Sequence, residues 1–61
     1  MKGYKEMKLK EEIKKAAEEY VFDVKTIEIA TLKVGIVAVW VNGKRFGNYD
    51  LNKHNFISLM A

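Results

Sequence analysis

The sequence predicts a small α+β domain: an N-terminal amphipathic helix packed on one face of a three-stranded antiparallel sheet, with a short C-terminal helix or strand. Three observations carry this. Apolar residues recur at helical spacing through the first third of the chain. Apolar and polar residues alternate in "TIEIATL", and Asn42-Gly43 lies between two β-rich runs.

The helix is expected from about Tyr4 to Val21. At about 100° per residue, Leu9, Ile13, Ala16, Ala17 and Tyr20 fall on one stripe, joined by Val24 if the helix runs on. Glu6 with Lys10 and Glu11 with Lys15 are four residues apart, pairs worth about 0.2–0.5 kcal/mol each on a solvated face. Acids cancel lysines there, so the cationic side of a membrane-surface helix is missing. Phe22 leaves the stripe, which places the helix end between residues 20 and 23.

Strands follow. Ile27 and Ile29 alternate with Glu28 and Ala30, the period of two that gives a strand unlike faces. Gly35 suits the left-handed position of a short hairpin loop before "IVAVWV", although a glycine bulge in one long strand is an alternative. Asn42-Gly43 predicts a two-residue type I′ turn, in which both central residues need φ > 0. Counting outward pairs Val41 with Lys44, Trp40 with Arg45, Val39 with Phe46, Ala38 with Gly47, Val37 with Asn48 and Ile36 with Tyr49.

On that register Val37, Val39, Val41 and Phe46 face the helix with Ile27 and Ile29. The opposite face would carry Ile36, Ala38, Trp40, Arg45, Gly47 and Tyr49, with Glu28 and Ala30 beside them. A solvated face would hold Thr, Lys and Glu instead, so some cover is expected. The candidates are the chain's own "LNKHNFISLMA", a second copy, another protein or nucleic acid.

Composition narrows the field. Sixty-one residues make one domain, 1–61, whose small core leaves little margin over ordering entropy. With no cysteine, disulfides and thiolate metal sites are excluded, and self-association becomes a source of stability. The same absence, and lysines where a signal peptide needs an apolar run, lead to the expectation of a cytoplasmic protein. "VGIVAVWV" is too short to span a bilayer, so no membrane association is expected. The formal charge of +3, from 11 basic and 8 acidic residues, is spread without the basic stripe of a nucleic-acid binder.

Catalytic chemistry is not expected. His54 is the only histidine and reads as a surface residue in a polar loop. Ser58 is the only serine and has no base arranged beside it in sequence. The acid pairs Glu11/Glu12 and Glu18/Glu19 are assigned to the outward helix face, away from any cleft that would raise a carboxylate pKa. Gly35, Gly43 and Gly47 belong to turns and strands, and none of them opens a helix to form a phosphate loop. The expectation is therefore a non-enzymatic protein with no cofactor, no metal and no small-molecule substrate.

The run Val39 to Asp50, "VWVNGKRFGNYD", resembles the second hairpin of AP2-type and integrase-type DNA-binding domains, which read the major groove with a three-stranded sheet. It is also similar to hairpins of small bacterial proteins that have no assigned function. The DNA-binding resemblance implies contacts from Trp40, Lys44 and Arg45, with Lys33 added by position. Those families place the helix after the strands, however, and carry more arginines on them. The double-stranded-RNA-binding domain shares an α-β-β-β-α element order, but its basic helix start and loop signature are missing here. The residue reading favours an interaction or homodimerising module that uses Trp40, Arg45 and Tyr49, with Lys44 at the tip and Lys33 nearby. DNA or RNA binding through the same face is the alternative.

Overall fold

The computed structural model describes residues 2–60, with side chains described from Lys8 to Met60. Helix α1 spans Lys2–Ala17, and four strands follow: β1 Ile27–Lys33, β2 Ile36–Val41, β3 Lys44–Asp50 and β4 Asn55–Leu59. The predicted α+β class is what the chain adopts. The sheet is an antiparallel meander in the order β1-β2-β3-β4, with four strands where three were expected.

α1 ends at Ala17, earlier than the apolar stripe suggests. Glu18 N still bonds to Lys14 O at 2.9 Å, whereas Glu19 and Tyr20 reach only to the carbonyls three residues back. That tightening is how a helix end satisfies its last carbonyls before the chain turns away. Ile13 and Ala17 are fully buried against Val37, Val39, Val41 and Tyr49, with Ile27 and the loop residue Val24 completing the cluster. Leu9 and Ala16 pack at its margin.

The hairpin turn forms as predicted, with Asn42 at φ 53° and Gly43 at φ 82°. Asn42 has a second use. Its Oδ1 accepts hydrogen bonds from Lys25 N (2.7 Å) and Thr26 N (3.1 Å), while its Nδ2 donates to Asp23 O (2.8 Å). One turn residue thus ties down the loop entering β1. Gly35, at φ 83°, turns β1 into β2, so residues 26–42 form two strands rather than one bent strand.

The predicted register holds for Val41–Lys44 and Trp40–Arg45 and then slips by one, to Val39–Gly47, Ala38–Asn48, Val37–Tyr49 and Ile36–Asp50. A β-bulge at Arg45-Phe46 inserts the extra residue. Because side chains alternate with period two, the slip turns Tyr49 to the helix side, where it is 1% exposed. The assignment of Tyr49 to the outer face is therefore corrected. The bulge lets Phe46 pack on Tyr20 and Phe56, with ring centroids 6.2 and 5.1 Å away.

β4 pairs with β3 through Gly47–Leu59, Asn48–Ser58, Tyr49–Phe56 and Asp50–Asn55, with a bulge that leaves Ile57 unpaired. Gly47 is required for this contact. A Cβ there would lie 2.2 Å from Ser58 O, which is backbone and cannot swing aside. The C-terminal segment thus widens the sheet instead of folding over Trp40. No helix among the described residues is long and apolar enough to cross a membrane.

Candidate functional site

Two groups of side chains stand out, one on each face of the sheet.

The outer face is organised by strand register into three rows. Across β1, β2 and β3 they read Glu28–Trp40–Arg45, Ala30–Ala38–Asn48 and Lys33–Ile36–Asp50. Ala38 is 2% exposed yet stands apart from the core cluster, because it lies under its own neighbours on this side. Trp40 and Ile36 are half-buried, while Glu28, Ala30 and Lys33 are exposed. Among the described residues the helix layer lies on the other side of the sheet, so this face remains open.

Arg45 is held in place on this face. Its guanidinium sits 5.3 Å from the centre of the Trp40 ring, Nη1 donates to Gly47 O, and Nη2 donates to Asn48 Oδ1 at 2.7 Å. A long side chain that would otherwise sample many rotamers is pre-ordered over an aromatic ring. The free N–H groups of the fork stay available to an external acceptor.

The structure separates the residues singled out from sequence. Trp40 and Arg45 meet on the outer face. Lys33 joins the same face at its far end, opposite Ile36. Lys44 is exposed at the hairpin tip, opposite the buried Val41 and so off the Trp40 row. Tyr49 belongs to the other face altogether.

On the helix side, the Tyr49 hydroxyl donates to Glu12 Oε2 at 2.6 Å, and His54 Nδ1 lies 2.9 Å from the same oxygen. Glu12 is therefore not an outward residue of the helix. It joins α1 to β3 and to the turn leading into β4. The Tyr49 hydroxyl, and after it His54, hold the Glu12 carboxyl below its ordinary pKa against the opposing effect of burial. Burial first, and then the neighbouring carboxylate, push the Tyr49 phenol far above its usual value. The junction thus keeps a protonated phenol against an ionised acid at neutral pH, which is the arrangement of a staple.

Sequence reasoning missed Glu12 and His54 because the contact spans 42 residues and depends on the bulge that redirects Tyr49. The turn that presents His54 is built by Asp50, whose Oδ1 accepts from Asn52 N (2.8 Å) and Lys53 N (3.0 Å). Those two bonds lower the Asp50 pKa. Ser58 is exposed on β4 opposite Asn48. No group of three or more His, Cys, Asp or Glu side chains among the described residues could hold a metal ion. Comparison of the chain with protein-family models, curated proteins and solved structures gives no match.

Proposed function

We propose that this chain is a protein-interaction module that binds through the outer face of its sheet, with Trp40 and Arg45 at the centre of the contact. The observation that supports this reading is the open face itself. A half-buried tryptophan, an ordered arginine and an alanine floor occupy a surface where a solvated sheet would carry Thr, Lys and Glu. Aromatic residues and arginine are the side chains enriched at the energetic centres of interfaces. The reading is of a binding protein without catalytic activity, in keeping with the staple geometry of the Tyr49–Glu12–His54 junction.

Charge favours protein over nucleic acid as the partner class. The two cations of this face, Arg45 and Lys33, lie at diagonal corners, and Glu28 and Asp50 occupy the other two. A phosphate backbone would meet an acid wherever it met a base.

Site-specific photo-crosslinking tests the reading. With a benzophenone amino acid in place of Trp40, irradiation in the expressing cell should give a discrete protein adduct that Arg45→Glu diminishes. The same probe in place of Lys14, exposed on the helix, should give none. Absence of an adduct at position 40, or identical adducts at both positions, would overturn the proposal. Binding of the purified protein to oligonucleotides at low salt, weakening steeply as salt rises, would replace it with the nucleic-acid alternative.

A further inference from the structure

We infer that the outer sheet face pairs with the same face of a second copy of this chain, through a two-fold axis that keeps the strands of the two sheets aligned. The inference rests on the reading of that face as a protein-binding surface and names the partner.

The argument comes from the arrangement of charge. Register puts Glu28 and Arg45 at the two ends of one row, and Lys33 and Asp50 at the two ends of another, with Trp40, Ala38 and Ile36 running between them along β2. The corners therefore read minus, plus along the first row and plus, minus along the last. Neither Glu28 nor Lys33 forms an ion pair among the described residues; the pairs there are Lys25–Asp23 and His54–Glu12. Among those residues Glu28 and Lys33 are thus left without a partner of opposite charge, while the Asp50 carboxylate also accepts from Lys53 N and Asn52 N in the turn after β3.

A square of alternating charges is complementary to itself only in certain orientations. Suppose first that the two-fold axis runs parallel to β2. Glu28 then faces the second copy's Arg45, Lys33 faces its Asp50, and Trp40 meets Trp40. If the axis lies in the interface but crosses the strands, Glu28 faces Lys33, Arg45 faces Asp50, and Trp40 meets Ile36. Both arrangements bring every corner onto its opposite charge. A diagonal axis, which crosses the sheets at right angles, brings Glu28 onto Asp50 and each cation onto itself. Face-to-face sheets pack either aligned, within about 30°, or orthogonally, and the charges here select the aligned class.

Steric features agree. Ala38, at the centre of the face, is small and already covered by its neighbours, so Trp40, Ile36 and the corner residues would make the contact where two sheets approach to about 10 Å. The sheet is four strands wide and about six residues long, which makes the face roughly 20 Å in each direction. That is about 400 Å² per copy, below the roughly 800 Å² per partner of standard interfaces, so the dimer should be a weak one that dissociates on dilution. A two-fold contact is isologous, so each favourable charge pair occurs twice. The pre-ordered Arg45 fork reduces the ordering cost of the pair that Arg45 joins.

Sedimentation equilibrium of the purified chain, with far-UV circular dichroism to confirm the fold of each variant, tests this. Wild type should show a monomer–dimer equilibrium that weakens with salt. Glu28→Lys and Lys33→Glu, both at exposed positions, should each weaken association about tenfold, since one reversal acts twice across the axis. Restoration by Glu28→Lys with Arg45→Glu supports pairing with the axis along the strands. Restoration by Glu28→Lys with Lys33→Glu supports pairing with the axis across them. A wild-type chain monomeric up to millimolar concentration overturns the inference, as does a dimer indifferent to the single reversals or rescued by neither folded double variant. The two readings fail separately. A monomeric chain that still forms a discrete adduct with another protein at position 40 loses the pairing but keeps the binding face, whereas a dimer with no adduct there loses the face.

Discussion

The two faces of this sheet are made from alternate residues of the same strands, yet they solve opposite problems. On the helix side, Val37, Val39, Val41 and Tyr49 are buried under Ile13 and Ala17, and the polar atom that burial drags in, the Tyr49 hydroxyl, has Glu12 as its acceptor. On the outer side, Trp40 and Ile36 stay partly wet, and the charges around them are not paired across the face within the chain. The first face is closed in its hydrogen bonding and packing. The second is ordered but open, and the difference shows how a 61-residue chain can place its core and the surface proposed for binding on the same three strands.

The largest expected effect comes from breaking what the bulge and β4 contribute to the closed face. In Gly47→Ala the new methyl would meet Ser58 O at 2.2 Å and Leu59 Cα at 3.1 Å, so β4 must separate from β3 or both must distort. Overpacking of this kind costs about 3 kcal/mol when neighbours cannot yield. A domain of this size has roughly 3–9 kcal/mol in all. The variant should have a clearly lower urea midpoint, and should lose amide-exchange protection in β4 and in its partners on β3. A urea midpoint equal to wild type would show that β4 is dispensable to the closed face.

Tyr49 and Trp40 offer a direct test of the contrast, because each can lose its polar atom and keep a ring. Tyr49→Phe removes the donor to an ionised carboxylate that is still reached by His54, and should cost about 1–2 kcal/mol. Trp40→Phe keeps an aromatic ring under Arg45 on the open side and should stay within about 0.5 kcal/mol in dilute protein, as surface substitutions generally do. Urea denaturation of both variants below the association range decides. Equal losses would mean that the outer face is a second core after all.

How far the sequence anticipates this arrangement depends on which interactions are local. The amphipathic helix, the Asn42-Gly43 turn and the strand alternation are set within windows of a few residues, and all three appear, although the helix ends at Ala17 and not between residues 20 and 23. The faces of Trp40 and Arg45 follow too, since both lie within two residues of that turn. Tyr49 does not follow. One inserted residue at Arg45-Phe46 reverses every side chain beyond it, and the contacts that accompany it, Phe46 with Phe56 and Gly47 with Ser58, involve a strand that had no definite place in the sequence. Glu12 was read as solvated for the same reason. Its donors lie 37 and 42 residues away.

The smallest effect is expected in the acid limb of the stability profile, and it separates the faces without altering packing. Glu12 has its folded-state pKa lowered, chiefly by the Tyr49 hydroxyl and then by His54. A lowered carboxyl pKa means that the unfolded chain takes up protons first as pH falls. The stability it contributes is therefore fully present above its ordinary value of 4.5 and is lost as pH drops through the lower folded value. Glu12→Gln and Tyr49→Phe should each flatten the dependence of the urea midpoint on pH in that window. Trp40→Phe should leave it unchanged, because Trp40 contacts none of Glu12, Tyr49 and His54 through the bonds that form the junction. Tyr49, whose pKa is raised, acts at the other extreme, where its contribution fades as pH rises beyond the ordinary phenol value of 10.0. If Trp40→Phe flattened the acid limb as much as Tyr49→Phe does, the two faces would be coupled through the sheet, and the division between a closed face and an open one would no longer describe the molecule.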